Sequence, residues 1–191
     1  FTSTDIHSIS YDCEKCRISG DYIREDEAID NICIVLSREG EKSVKRNSKT
    51  YGRLSEHIGL IPIVMVSPYD NCLINESGEE RRRFINSILS QIDNEYLRKL
   101  QNYNHLLVQR NKLLKSQPIN DDLLFAYSAK MSVNAAYIHN SRAEFTKMLV
   151  PLADKYYKLI SGGKEDISII YKSDLDDSAP EMVFEKSLER D

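Results

Sequence analysis

The sequence lacks the features that place a chain in a membrane or in an oxidising compartment. It has no apolar run long enough to span a bilayer and no secretory signal pattern. It contains only four cysteines, Cys13, Cys16, Cys33 and Cys72, which are best interpreted as reduced cytoplasmic thiols. With 191 residues and an ordinary apolar content, the chain is predicted to be a cytoplasmic globular protein of one or two domains.

Nucleotide-binding and catalytic motifs are also missing. There is neither a G-x-x-x-x-G-K-[ST] P-loop nor a G-x-G-x-x-G turn, and residues 161–164 lack the leading glycine of a P-loop. Cys13 and Cys16 form a lone C-x-x-C, which we interpret as two half-buried thiols because a zinc ion needs two more ligands. The histidines are scattered and have no paired nucleophile. We therefore expect no catalytic residue, bound cofactor or metal site within this chain.

A strong charge of one sign is absent, since the net charge is −4 at pH 7. This excludes a uniformly basic nucleic-acid binder, but the charge is unevenly spread. Residues 38–53 hold six basic and two acidic side chains, and residues 79–115 hold eight and four, so each segment carries +4. Residues 1–37 and 164–191 each carry −5. An anionic partner is therefore expected to bind the middle of the chain.

Strand-like patterning occurs in five segments, most of them in the first third of the chain. These are residues 17–24, 32–36, 42–46, 60–67 and 166–172. The sequence around Gly40 is typical of a hairpin turn between the second and third segments. The fourth segment is a continuous β-branched run, as in a buried strand.

Helical patterning fills the region between the last two of these segments. Ser77 begins a capping box in which its oxygen would accept from the amide of Glu80. Asp93 or Asn94 can cap a second helix. After Pro118, a third helix can be capped by Asn120 or Asp121, and Gly162-Gly163 predicts its end.

The third helix carries apolar residues that repeat every seven positions. They are Leu124, Met131, Ile138, Phe145, Leu152 and Leu159. Such heptads are typical of a long helix packed along its neighbours. Arg142 occupies a position where the second apolar series of the heptad pattern would be expected. Pro151 is expected to kink or break the helix near Lys147.

Three consecutive arginines, Arg81, Arg82 and Arg83, stand at the start of the first long helix. Consecutive helical residues splay around the axis, so the three cannot face one ligand together. The simplest interpretation is a solvated basic face with partners in Glu79 and Glu80. Cations near a helix N-terminus are unfavourable, however, and one or two arginines could instead bind a phosphate or carboxylate.

The order and spacing of several short blocks resemble the RecF family of bacterial DNA replication and repair proteins. The blocks are residues 60–68 (LIPIVMVSP), 73–74 (LI), 80–85 (ERRRFI), 90–93 (SQID), 95–97 (EYL), 103–104 (YN) and 109–115 (QRNKLLK). The resemblance is firm over residues 54–115 and looser over residues 16–171. Two departures stand out, because the family usually has Asp where Asn86 stands and a Gly/Ser-Pro turn at residues 76–78.

The resemblance implies an α+β fold. It would form part of an ABC-type ATPase head of the SMC-like kind, with antiparallel or mixed strands and an inserted lobe of long antiparallel helices. The implied organisation is a strand-rich part of the first lobe at residues 1–75, a helical second lobe at 76–163, and a return strand with an acidic tail at 164–191. The P-loop, signature motif and Walker B acid of the family are not in this sequence, so we expect a central fragment of a longer protein.

For the whole protein, the resemblance implies a weak DNA-stimulated ATPase that uses ATP and Mg²⁺ and dimerises on ATP. Its implied partners are single-stranded and gapped duplex DNA and the RecO and RecR proteins, in recombinational repair, replication and the SOS response. It would help to load recombinase at single-stranded gaps. The candidate DNA or dimer-interface residues are Arg81, Arg82, Arg83, Lys45 and Arg46. The alternative is a helical protein-interaction module of a divergent homologue without ATPase activity.

Overall fold

The computed structural model describes residues 4–116 and 118–188. The chain divides into two compact units, Phe1–Ile61 and Pro62–Asp191. The first unit contains the sheet and the second contains the long helices. The predicted division into residues 1–75, 76–163 and 164–191 stays a prediction. Among the described residues, no helix is long and apolar enough to cross a membrane.

The first unit is built on a four-stranded antiparallel sheet in the order β1-β2-β3-β4. Its strands are β1 (Lys15–Ile23), β2 (Ile29–Ser37), β3 (Lys42–Arg46) and β4 (Lys49–Thr50). In the register, Ile18 pairs with Ile34 and Ile34 pairs with Val44. The first three predicted strands are therefore present.

Local turn chemistry sets the two tight hairpins of the sheet. Gly40, with φ of 87°, lies in the predicted turn between β2 and β3. Asn47 and Ser48 join β3 to β4, and both have positive φ, at 49° and 67°. Two consecutive residues of positive φ form the turn that matches the twist of paired strands, and asparagine tolerates this conformation well.

Two of the predicted strands do not form. Residues 60–67 and 166–172 contain no β-strand, and most of their apolar side chains are exposed, including Val64 at 91% and Ile170 at 72%. A strand depends on hydrogen bonds to a neighbour, and within the described residues neither segment is paired. Their apolar pattern alone therefore predicted a strand without specifying its partner.

Within the described residues, the second unit contains five α-helices. They are α1 (Cys72–Asn75), α2 (Gly78–Ile92), α3 (Asn94–Leu114), α4 (Asp121–Ser161) and α5 (Pro180–Leu188). Their core is a cluster of Leu89, Tyr96 and Ile138, contributed by α2, α3 and α4.

Capping side chains fix where the three long helices begin. The Ser77 hydroxyl accepts from the Glu79 amide rather than from the predicted Glu80. Asp93 caps α3 by accepting from Glu95 and Tyr96, and Asn120 caps α4. Each cap satisfies amides that have no partner inside the helix. The predicted capping box does not form at α2, and the Glu80 carboxylate accepts from Arg83.

Helix α4 continues through Pro151 to Ser161, so the predicted break near Lys147 does not occur. The predicted end is correct, because Gly162 adopts φ of 66° and its amide donates to the Lys158 carbonyl. The heptad residues of the first half are buried, with Met131 at 0%, whereas Leu159 is 70% exposed. Helix α4 is about 60 Å long and α3 about 30 Å, so α3 can cover only half of the heptad face.

Candidate functional site

The three consecutive arginines of α2 have different surroundings. Arg81 donates through Nη1 to the carbonyls of Leu73, at 3.0 Å, and Glu76, at 3.2 Å. These carbonyls lie at the end of α1, where backbone acceptors lack helical partners. Arg81 therefore holds α1 against the start of α2, and its guanidinium is already engaged by the protein.

The side chains of Arg83 and Arg82 differ in whether their guanidinium groups already have partners. Arg83 donates to Glu80 at 2.6 Å and to Glu79 at 2.9 Å, so both of its terminal nitrogens are engaged. Arg82 is exposed, and its side chain makes no hydrogen bond or ion pair with the residues that the structure describes. Of the three, Arg82 therefore has the guanidinium most available to an external anion.

The two basic candidates of the first unit, Lys45 and Arg46, are adjacent on β3. Arg46 binds Asp30 through both ends of its guanidinium, at 2.9 and 2.7 Å, and Asp30 is only 3% exposed. Asn47 donates to the same carboxylate at 3.0 Å. Lys45 is half-buried, and its ammonium group has no hydrogen-bond or ion-pair partner among the described residues. Arg46 therefore neutralises a buried carboxylate, and Lys45 is the available cation.

The hydrogen bond from Arg46 lowers the pKa of Asp30, with further lowering by Asn47 and by the charges of Arg46 and Arg24, while desolvation acts in the opposite direction. A carboxyl group with a lowered pKa stabilises the fold fully above its unfolded pKa of about 3.9. This contribution is lost as the pH falls through the folded pKa.

We therefore expect Asp30→Asn to be less stable than the wild type at pH 7. The difference should begin to shrink as the pH falls below about 4, where the unfolded carboxyl protonates, and should approach zero only below the lowered pKa of folded Asp30. Urea midpoints measured from pH 7 to pH 2 test this. Asp26→Asn is the control, since that carboxylate is 63% exposed in its pair with Arg24 and should show little effect at any pH. A constant deficit for Asp30→Asn across the range would contradict the assignment.

A buried polar network joins α2, α3 and α4. The Tyr96 hydroxyl donates to Asn86 Oδ1 at 2.6 Å, and Arg142 donates to the same oxygen at 2.9 Å. Arg142 Nε also donates to the Tyr96 hydroxyl at 3.1 Å. Burial raises the pKa of Tyr96 and the charge of Arg142 opposes that rise. Arg142 is thus a half-buried cation whose hydrogen-bond acceptors, among the described residues, are neutral oxygens.

A cleft of about 640 Å³ opens beside this network. It is lined by α2, α3, α4, residues 171–175 and α5, including Arg82, Arg142, Tyr103, His139 and Tyr171. The His139 and Tyr171 rings lie 5.5 Å apart, and His139 Nε2 lies 3.8 Å from Asp176. The cleft therefore combines three arginines, Arg82, Arg83 and Arg142, with an aromatic wall.

Arg142, Asn86 and Tyr96 were not among the residues predicted to form a site. One signal was present, because Arg142 interrupts an otherwise apolar seam, and a charged residue at such a position requires polar partners. Those partners are 46 and 56 residues away along the chain, so spacing could not identify them. The prediction of two half-buried thiols is correct for Cys16, which is partly buried, and wrong for Cys13, which is exposed; both are free thiols.

Comparison with protein-family models gave no match. Among curated proteins, the chain is 37% identical over 188 residues to the DNA replication and repair protein RecF of Bacteroides thetaiotaomicron, covering 98% of the chain and 51% of that protein. It is 41% identical over 169 residues to RecF of Porphyromonas gingivalis, covering 87% of the chain and 46% of that protein. The chain therefore spans about half the length of these relatives.

A solved structure of the recombination mediator protein RecF-ATP in the RecFOR pathway matches with a TM-score of 0.87 at 25% identity, covering 99% of this chain and 54% of that one. A structure of RecF with ATPγS matches with a TM-score of 0.83 at 26% identity, covering 98% of this chain and 52% of that one. These similarities confirm the predicted resemblance and the predicted α+β fold class.

Proposed function

The chain corresponds to about half of a RecF protein, and on that premise we propose that the protein containing it is an ATP-dependent DNA-binding protein of recombinational repair and replication. Its proposed role is to help load recombinase at single-stranded gaps together with RecO and RecR. The observation that carries the proposal is the sequence match over nearly the whole chain, in the same fold.

ATP and Mg²⁺ are the proposed cofactors, and ATP-dependent homodimerisation is the proposed switch. The RecF structures similar to this chain contain ATP or ATPγS. In the proposed mechanism, ATP closes a dimer whose basic surfaces then contact DNA phosphates. Phosphate contacts release counterions, so affinity should fall steeply with salt. We propose no catalytic residue in this chain.

Among the five basic candidates, we propose Arg82 and Lys45 as phosphate contacts. Arg81, Arg83 and Arg46 already have acceptors in the protein, so an external phosphate would have to displace those acceptors. Arg82 and Lys45 have no such partner within the described residues. A guanidinium or ammonium without a partner loses less on binding phosphate than one that must first break an ion pair.

The proposal is tested by gel shifts of the full-length protein on gapped DNA, with and without ATP, over a salt series. Arg82→Gln and Lys45→Gln should each weaken binding to all sequences alike, because phosphate contacts carry no sequence information. Each should also flatten the log–log salt slope by about 0.7 to 0.9. Arg98→Gln is a matched control, since Arg98 is exposed on α3 and paired with Glu95.

The second candidate function is a protein-interaction module that docks a partner through the heptad face of α4. The exposed apolar residues of the second half of α4 favour it. They are Met148, Leu152, Tyr156 and Leu159. DNA binding that ignores both ATP and salt, or that stays unchanged in both charge variants, would support this alternative over the DNA-binding proposal.

A further inference from the structure

We propose that the cleft between α2, α3, α4 and residues 171–175 binds a small organic phosphate with a planar apolar body. The proposal does not depend on the proposed DNA-binding function, because it rests on the surroundings of this cleft alone. The cleft volume of about 640 Å³ is within the usual range for small-molecule sites, roughly 300–1,000 Å³.

Arg82 and Arg142 both line the cleft and are its proposed anion-binding side chains. Arg82 has no partner among the described residues, and Arg142 Nη1 makes no hydrogen bond there either. Two guanidinium groups can offer several N–H donors to one phosphate, which has enough oxygens to accept from both. A half-buried arginine that meets only neutral acceptors gains most from a counterion.

The acidic residues of the cleft do not cancel this positive charge. Glu79 is committed to Arg83 at 2.9 Å, which leaves Asp174 as the uncommitted carboxylate that lines the cleft. The positive field also extends to Tyr103. Burial raises the pKa of Tyr103, and the charges of Arg142 and Arg110 oppose that rise.

The rest of the cleft suits a flat apolar group. The Tyr103 and Phe184 rings lie 6.5 Å apart, and Tyr171 lies against His139 on another wall. Leu107 and Ile138 add aliphatic surface. The His139 ring also lines the cleft.

Isothermal titration calorimetry of the full-length protein, with saturating ATP throughout, tests the proposal. The probes are phenyl phosphate, inorganic phosphate, phenol and phenylacetate. Phenyl phosphate should bind at least tenfold more tightly than inorganic phosphate or phenol, since only it has both the phosphate and the flat apolar group. Phenylacetate should bind more weakly than phenyl phosphate because its carboxylate has fewer acceptors.

Two variants and one control assign the site. Arg82→Gln should weaken phenyl phosphate at least tenfold, and Tyr171→Leu should weaken phenyl phosphate while leaving inorganic phosphate unchanged. Arg98→Gln, which alters an exposed arginine outside the cleft, should change neither. Absence of saturable phenyl phosphate binding, or binding that both cleft variants leave intact, overturns the proposal. DNA affinity of the Tyr171→Leu variant, which keeps both Arg82 and Lys45, reports separately on the proposed function.

Discussion

Met131→Ala is expected to lower the free energy of unfolding by about 2–5 kcal/mol. Met131 is a heptad residue of α4 and is completely buried, at 0% exposure. Truncation removes apolar atoms from a packed site and leaves a cavity that the surrounding helices can only partly fill. The expected cost is therefore the lost transfer free energy plus the cavity term. Urea unfolding followed by far-UV circular dichroism measures it.

Met148→Ala is the matched control for this experiment. Met148 lies on the same helix, seventeen residues later, and is 59% exposed. Its truncation should change the unfolding free energy by about 0.5 kcal/mol or less. Similar losses in the two variants would contradict the difference in burial between Met131 and Met148.

Local signals predicted much of the fold. The turn at Gly40, the caps Ser77 and Asn120, and the end at Gly162 each depend on residues within a few positions of one another. Neighbouring residues determine these features, because a suitable residue close in the sequence can adopt the positive φ or accept from the unpaired amide.

Properties that depend on distant partners were not predictable from the same patterns. Residues 60–67 and 42–46 both had strand-like sequences, yet only the second pairs with a neighbour in the described sheet. Burial along α4 likewise depends on the length of α3 rather than on the heptads themselves. The apolar pattern indicates which face can be buried but not whether another element covers it.

The candidate site shows the same limit at the level of single side chains. In the sequence, Arg81, Arg82 and Arg83 form one block of basic residues. In the structure, their guanidinium groups have different surroundings. Arg81 binds backbone carbonyls of α1, Arg83 binds two glutamates, and Arg82 remains available. Only the pairing of Arg83 with its glutamates followed from helical spacing, because those residues are three and four positions away.

Arg142→Met is expected to lower the unfolding free energy by about 1.5–3 kcal/mol, the range for hydrogen bonds to a charged group. The substitution keeps an unbranched side chain but removes the donors to Asn86 and Tyr96. Lys147→Met is the control on the same helix. Its ion pair with Glu144 is exposed, so its loss should cost about 0–1 kcal/mol.

Asn86→Asp tests whether Arg142 lacks a counterion. In the wild-type background it should raise stability, because the carboxylate would accept from Arg142 as an ion pair. In the Arg142→Met background it should lower stability, because a half-buried carboxylate would then lack the cation that donates to residue 86 in the wild type. A double-mutant cycle measured by urea unfolding gives the coupling directly. If Asn86→Asp changes the free energy of unfolding in the same direction in both backgrounds, a group other than residue 86 compensates the charge of Arg142. The availability of this arginine to an external anion would then have to be reconsidered.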